Sequence, residues 1–537
     1  IFPIIDVYDR FKVINTLIPM GIPSYFSYIL KNHKNIIKKL TNIQNNNLYL
    51  DSNSIIYDCL RKTPDKRQLF DDICLKIEEY IHNIKPNKRV FIAFDGVAPV
   101  AKLEQQRTRR YKSYLEKKIR KVVYPNEPVG WDTTVITPGT TFMKDLSAFV
   151  LKHFENKEKE FGIEEMIIST SNEVGEGEHK LFQYIRDIPH NDDTTVIYGL
   201  DADLIMLCLN HLSFAKNLYL YRETPEFVKS LHSDLEPNET YILDIPKLAE
   251  AIVKEMNFQR VPNTKQQENR LYDYIFLCFF LGNDFLPHFP SVNIRTSGIQ
   301  IMISAYQNTI GRTNHNLTDG KCIYWKNVYK LVKYLADNEW RNLVKEYKIR
   351  ERWEKRSFPY DTPENIMNRF LHTPIKNREI ERMVDPHTSH WEERYYKYLF
   401  SIDIDQEHKR DICVNYLEGL EWTFKYYIDK CIDWRWSYQY HYPPLWKDLL
   451  QFIPYCDTIM IEENDRKPVH PNVQLAYVLP KTSLKYLPTN IYEQLIMKKE
   501  SYYQDDCEIK WSFCKYFWEA HVELPHIDIE DLEDFCV

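Results

Sequence analysis

Short apolar runs that end at carboxylates set the pattern of this chain. Asn47-Leu48-Tyr49-Leu50 runs into Asp51, and Val90-Phe91-Ile92-Ala93-Phe94 runs into Asp95. Thr195-Val196-Ile197-Tyr198 runs into Gly199-Leu200-Asp201-Ala202-Asp203. Continuous apolar runs of this length read as strands buried on both faces, the habit of parallel sheets. Other stretches have helical character. His179 to Ile185 continues an acidic first turn at Glu176 and Glu178. Tyr274 to Leu281 reads as a buried helix leading to Asp284, and Pro99 suits the first turn of a helix running on to Lys112. The pattern predicts an α/β body whose strands deliver acids at their C-terminal ends. That is where open α/β sheets bind ligands.

The chemistry follows from crowding. Asp51, Asp95, Glu176, Glu178, Asp201, Asp203 and Asp284 cannot share one crevice uncompensated, because their mutual repulsion is severe at low dielectric. Divalent cations solve the problem. An oxygen-rich set suits Mg²⁺ or Mn²⁺, and two ions can clamp the attacking and leaving oxygens of a phosphodiester. A single Asp at a strand end is more often a helix cap or turn residue; the set as a whole argues otherwise. Asp201 and Asp203, at strand spacing, are expected on one face. Glycine sharpens the case: of 13 in the chain, Gly96, Gly175, Gly177, Gly199 and Gly282 lie beside these acids or one residue away. After Asp95, Lys102, Gln106, Arg109 and Arg110 recur at about one helical turn and project from one side. Guanidiniums, an ammonium and an amide make a receptor for a terminal phosphate. A solvated basic helix face is the competing reading, which the position directly after Asp95 disfavours.

Taken in order, several motifs resemble the Xrn 5′→3′ exoribonucleases. They are Met20-Gly21-Ile22-Pro23-Ser24-Tyr25-Phe26, Asp95 to Arg110, Ile136 to Met143, Gly175 to Lys180, Ile197 to Met206 and Phe279 to His288. A second block, Tyr416 to Trp422, Tyr440 to Pro444 and Leu524 to Asp528, matches as well. The resemblance covers roughly residues 20–305 and 390–530. It implies a mixed, mostly parallel central sheet flanked by helices, a 5′-nuclease or PIN-like core, with a largely helical second region packed on it. It implies a metal site of all seven carboxylates holding two ions. It also implies a 5′-monophosphate pocket of Lys102, Gln106, Arg109 and Arg110, closed by the second block so that a cap or triphosphate is excluded. The implied activity is processive degradation of decapped, monophosphorylated single-stranded RNA to mononucleotides, as in mRNA decay. The implied partners are that RNA and decapping factors, and a monomer is expected.

Departures from the family pattern matter too. A His that stacks on the 5′ base is replaced by Tyr57, which keeps a ring. Its partner ring is expected at Trp434 or Trp436. Trp434, Trp436, Tyr438, Tyr440 and Tyr442 alternate as on one face of an extended segment. Residues 1–19 precede the usual start and form an extension apolar enough to dock, either near the active centre or as an edge segment packed on the body without effect on catalysis. Residues 20–305 form the expected nuclease core, 306–389 a shortened connector, and 390–537 the closing region. This economy, with richness in Asn, Lys, Ile and Tyr, fits a compact AT-rich genome such as a virus acting in a host cytoplasm.

Composition adds limits. The chain has 537 residues, 44% of them hydrophobic, enough for a large core. Its net charge of −7 is unusual for a nucleic-acid binder, so RNA must be met by a local basic path. Lys112, Lys117, Lys118, Arg120 and Lys121 are candidates, equally readable as a solvated helix. The 11 Cys contain no C-x-x-C pair, which disfavours a zinc ribbon and fits a reduced, cytoplasmic setting. No apolar run approaches a membrane-spanning length. A flap-type 5′ nuclease and an inert RNA-binding scaffold are the alternatives. The second block disfavours the former, and the complete acidic set the latter.

Overall fold

The computed structural model describes residues 25–40, 44–60, 65–127, 130–222, 241–260, 262–504 and 507–536. The extension 1–19 and the motif from Met20 to Ser24 lie outside the described residues. Among the described residues, seven strands form the central sheet: β1 (Ile37–Lys39), β2 (Asn47–Asp51), β3 (Arg89–Ala93), β4 (Glu165–Ser169), β5 (Thr194–Tyr198), β6 (Asn217–Tyr221) and β7 (Tyr241–Asp244). Their order is β1-β7-β6-β5-β2-β3-β4. The strands from β6 through β4 pair in parallel, while β7 is antiparallel to both β6 and β1. The apolar runs read as strands in the sequence are β2, β3 and β5, side by side, with Leu50 opposite Ile92 on one flank and Tyr198 on the other.

Both faces of these strands are covered, which explains their unbroken hydrophobicity. Leu48, Leu50, Val90, Ile92, Val196 and Tyr198 share one core with α1 (Lys66–Ile84). Tyr49, Phe91 and Ile197 point the other way. They join a larger core with α3 (Gly177–Asp187), α4 (Asp203–Asn210) and α5 (Thr264–Phe279). Every residue of α4 is buried, as an Asp-Leu-Ile-Met-Leu-Cys-Leu-Asn sequence with no polar face requires. The long α2 (Val100–Val123) follows β3.

The second region is helical and enters the same core. α6 (Trp325–Asp337) contributes Trp325, Val328 and Leu331 from within the expected connector. Further along the chain, with shorter helices between them, lie α7 (Glu339–Glu354), α8 (Gln406–Ile428), α9 (Trp446–Phe452) and α10 (Pro471–Val478). α8 supplies Tyr416, Leu417, Leu420, Trp422, Tyr426 and Tyr427. Val473 and Leu475 of α10 pack on Val97, Ala98 and Leu103 at the start of α2. The aromatic stripe from Trp434 to Tyr442 forms no strand. Trp436 and Tyr438 join the large core and Tyr440 and Tyr442 a separate one, so period-two spacing does not put them on one sheet face.

β2 pairs with β3 on one side and β5 on the other, and the chain order reverses between β2 and β5. That is the topological switch point, where the loops after adjacent strands leave in opposite directions and open a crevice.

Candidate active site

Asp51 ends β2 at this crevice, and the loops after β3 and β5 bring Asp95 and Asp201 beside it. Asp95 is fixed by three hydrogen bonds. The Gly177 N–H donates to Oδ1 at 2.7 Å, the Asn53 amide donates to Oδ2, and the Asp95 N–H donates to Asn53 Oδ1 at 3.1 Å. Glu176 is the N-cap of α3 and Glu178 lies in its first turn. The helical and the active-site readings of this pair thus describe the same residues. A side chain at Gly177 would bring its Cβ 2.9 Å from Asp51 Oδ1 and 3.4 Å from Asp95 Oδ1; glycine there lets the helix start against two carboxylates.

Asp201 and Asp203 do not share a strand face. β5 stops at Tyr198, Asp201 sits in the turn, and Asp203 opens α4, its N–H donating to Asp201 Oδ1 at 3.3 Å. Gly199 and Leu200 break the extended conformation that the two-residue spacing suggested.

The cluster is buried, and its proton affinities show it. Burial raises the Asp51 carboxyl well above its ordinary range, with Asp95 and Asp201 adding to the rise. Burial and Asp201 do the same to Glu178. Asp201 is pushed up to about 6 by burial and by Asp284, with Lys102 opposing. Glu176 is raised by burial against the pull of Lys102. Lys102 lies inside this cluster, its ammonium 2.5 Å from Glu176 Oε2 and 2.7 Å from Asp284 Oδ2. Burial disfavours its charge, but Asp284 and Glu176 outweigh that and hold its pKa well above the ordinary value. The hard, all-oxygen donor set fits Mg²⁺ or Mn²⁺.

The other phosphate candidates lie further along α2. Gln106 and Arg110 are buried, and among the described residues Gln106 Oε1 and Arg110 Nη1 have no hydrogen-bond partner. Burial drives the Arg110 guanidinium down to about 10, with Tyr57 foremost among the groups pulling it back and Arg109 adding to the fall. Orphaned buried polar atoms of both signs in one place are what a protonated or hydrogen-bonding anion satisfies. Tyr57 is half-buried. Trp436 is 8% exposed and stacked on Trp422 at 5.3 Å. Trp434 is half-buried, and its carbonyl accepts from the Val100 N–H at the head of α2 at 3.0 Å.

Sequence reasoning missed several supporting residues. Tyr426 of α8 donates to Glu176 Oε1 at 2.8 Å and stacks on His179 at 3.8 Å. Glu176, Glu178 and His179 each present a ligand atom within 4.8 Å of the others. Lys180 ties the Phe94 and Thr170 carbonyls together at 2.8 and 2.9 Å, joining the loops after β3 and β4. His179 and Lys180 stood in the quoted Gly175 to Lys180 motif, and Asn53 in the short stretch Leu50-Asp51-Ser52-Asn53; nothing local pointed to Tyr426.

Comparison with known proteins gives a consistent result. Residues 20–224 match the model described as XRN 5′-3′ exonuclease N-terminus, and residues 264–385 and 367–536 match that described as Xrn1 helical domain. The 5′-3′ exoribonuclease 2 of Gallus gallus is 27% identical, aligned over 95% of this chain and 69% of its own length. The Arabidopsis thaliana 5′-3′ exoribonuclease 2 is 26% identical, over 95% and 66% respectively. The Saccharomyces cerevisiae 5′-3′ exoribonuclease 1 is 27% identical, over 95% of this chain and 42% of its own.

Proposed function

The chain belongs to the Xrn 5′→3′ exoribonuclease family, and from that membership we propose that it releases mononucleotides from the 5′ end of decapped, 5′-monophosphorylated single-stranded RNA. The observation that carries the reading is the meeting of two unlike groups at the head of α2. Seven carboxylates gather at the sheet's switch point, and Gln106 and Arg110 lie buried one to two turns beyond Lys102, each with a polar atom that has no partner among the described residues.

A divalent ion, Mg²⁺ or Mn²⁺, would be held by Asp51, Glu178 and Asp201 with Asp203 beside them, and supplies a nucleophile at neutral pH and charge stabilisation at the phosphorus; paired ions are the arrangement the resemblance implies. The protein's own residues position and exclude. Arg109 and Arg110 present guanidinium forks to a terminal phosphate, and Gln106 adds an amide. Anchoring the phosphate of the first nucleotide places the following phosphodiester at the carboxylates, which sets one nucleotide as the unit of cleavage. A triphosphate or cap would bring more charge and bulk to a place where Gln106 and Arg110 are already buried. Trp434, half-buried at the head of α2, is the ring assigned to the 5′ base together with Tyr57, because Trp436 is committed to the interior against Trp422.

The test is incubation with 5′-monophosphate, 5′-triphosphate and 5′-hydroxyl RNAs, each with Mg²⁺ or EDTA. Mononucleotides should appear from the monophosphate substrate in Mg²⁺. Cleavage that persists in EDTA, or that starts internally or at the 3′ end, sinks the proposal.

A further inference from the structure

We propose that α7 is a docking ridge for an acidic helix of a partner protein, a surface separate from the carboxylate crevice and independent of the nuclease reading.

α7 runs from Glu339 to Glu354, and Lys355 is its C-cap, still in helical backbone. Arg341, Lys345, Lys348, Arg352 and Lys355 are all exposed. They stand four, three, four and three residues apart, the spacing of a heptad repeat. At about 100° per residue the five side chains fall within an arc of about 80°, along about 21 Å of helix. The opposite side faces the body, where Leu343, Glu346, Tyr347 and Arg350 are buried. Tyr347 donates to the Glu381 carbonyl at 2.8 Å, and Arg350 donates to Glu381 Oε2 at 2.9 Å and to the Cys514 carbonyl at 2.8 Å. The helix is held from behind, and its cationic ridge points outward.

Helix stability does not explain the ridge. Like charges three and four residues apart oppose a helix, and the five cations make such pairs in unbroken succession. Arg341 stands in the first turn, where the helix dipole disfavours a cation. Among the described residues none of the five makes an ion pair, and their one side-chain hydrogen bond runs from Arg352 Nε to the Lys348 carbonyl at 3.4 Å. The acids of α7 do not answer them. Glu339 and Glu346 are buried, Glu354 pairs with Arg378 and Arg382, and only Glu351 is exposed, at the margin of the arc. In a chain with more acidic than basic residues, this run of cations is left for charge from outside.

The shape selects the occupant. A helix with Glu or Asp at the same heptad spacing meets the ridge cation by cation, as charged positions pair across coiled coils. Single-stranded RNA is held in grooves with rings interleaved for base stacking; the ridge is convex, and no aromatic residue lies within its arc. An apolar foothold stands at its N-terminal end. Trp340 is 54% exposed while its indole N–H donates to the Pro386 carbonyl at 2.7 Å, and Met383, three residues before Pro386, is 42% exposed. A tryptophan both held and exposed is the kind of residue that anchors protein interfaces. The partner is thus an acidic helix with an apolar residue toward one end.

The probe is a labelled helical peptide of about 18 residues, long enough to span the ridge, with Glu at the heptad spacing, Leu at one end, and Ala and Gln elsewhere. Its anisotropy with the full chain should show one peptide bound per chain, more weakly as salt rises. Arg341→Glu, Lys348→Glu and Arg352→Glu combined should weaken binding at least about 10-fold, and that variant should take up the peptide with Lys in place of Glu. Trp340→Ala should weaken binding at least about 5-fold. A peptide of the same composition, with its Glu residues spread round the helix, should bind at least about 10-fold more weakly; this arm needs no variant to fold. Equal affinity for the spread peptide, equal affinity in the triple variant, or no binding at all overturns the proposal. Displacement of the peptide by a 5′-hydroxyl single-stranded RNA overturns it as well, and makes the ridge an RNA surface.

Discussion

Asp201 shows at the scale of one residue what the active centre costs the fold. Its carboxyl titrates at about 6 in the folded chain against an ordinary 3.8. A pKa raised on folding contributes stability that is present below about 3.8 and lost as pH rises through about 6. At pH 7.5 without metal, ionised Asp201 is therefore destabilising, by about 1–3 kcal/mol. Asp201→Asn should raise the unfolding midpoint in EDTA at pH 7.5 by roughly 1–3 °C, given the entropy of unfolding a chain of this size. The gain should shrink at pH 5, where the wild-type carboxyl is largely protonated. In Mg²⁺ the order should reverse, because the ion stabilises only the chain that holds it. Turnover of the variant should fall by at least ~100-fold. Thermal unfolding at the two pH values, with and without Mg²⁺, checks this. A variant no more stable than wild type in EDTA would mean that the burial of Asp201 is not felt.

Between elements, the decisive contact is a seam between the loops after β3 and β4. The Gly96 N–H donates to the Gly175 carbonyl at 2.9 Å and the Gly175 N–H to the Val97 carbonyl at 2.8 Å. A Cβ on Gly96 would fall 1.7 Å from the Glu173 carbonyl oxygen, where no side chain fits. Gly96→Ala must push apart the loops carrying Asp95 and Glu176. A displacement of about 1 Å at a reacting centre is worth ~100-fold in rate. The variant should lose roughly that much turnover while keeping its far-ultraviolet circular dichroism; wild-type activity would show the seam to be compliant.

The use of glycine was legible in the sequence, since a chain with 13 glycines placed five of them beside its acids or with one residue between. β2, β3 and β5 were legible too, because covering both sheet faces leaves an unbroken apolar run. What was not legible came from distance or from broken regularity. Tyr426 reaches Glu176 across 250 residues, and no local pattern encodes such a contact. The Trp434 to Tyr442 stripe alternates like a strand, yet its rings are shared between two cores by an irregular segment that alternation alone cannot foresee. The spacing of Asp201 and Asp203 suggested a strand where a turn and a helix start stand instead.

For the molecule as a whole, the question is how a chain with 70 basic and 77 acidic residues holds a polyanion. The basic continuation of α2 does not supply a continuous path. Lys112 is half-buried, its ammonium donating to the Trp518 and Ala520 carbonyls, and desolvation lowers its pKa to about 8. Lys117 lies 3.5 Å from Asp132, Arg120 pairs with Glu127 at 2.6 Å, and Lys118 sits over the Tyr114 ring at 4.5 Å. Arg107 donates to the Pro525 carbonyl at 2.8 Å. With these cations engaged, attraction for RNA should concentrate at the 5′ end, on Arg109 and Arg110, with Lys102 contributing one donor. Roughly two to four neutralised phosphates correspond to a slope of about −1.5 to −3 for log affinity against log salt on a single strand. Binding of a 20-nucleotide 5′-monophosphate RNA in EDTA, followed by fluorescence anisotropy between 50 and 300 mM salt, measures it. The same strand with a 5′-hydroxyl should give a slope shallower by roughly one, because the charge these arginines meet is gone. A slope steeper than about −5, or one indifferent to the 5′ group, would place the main RNA contact along the strand and away from the head of α2.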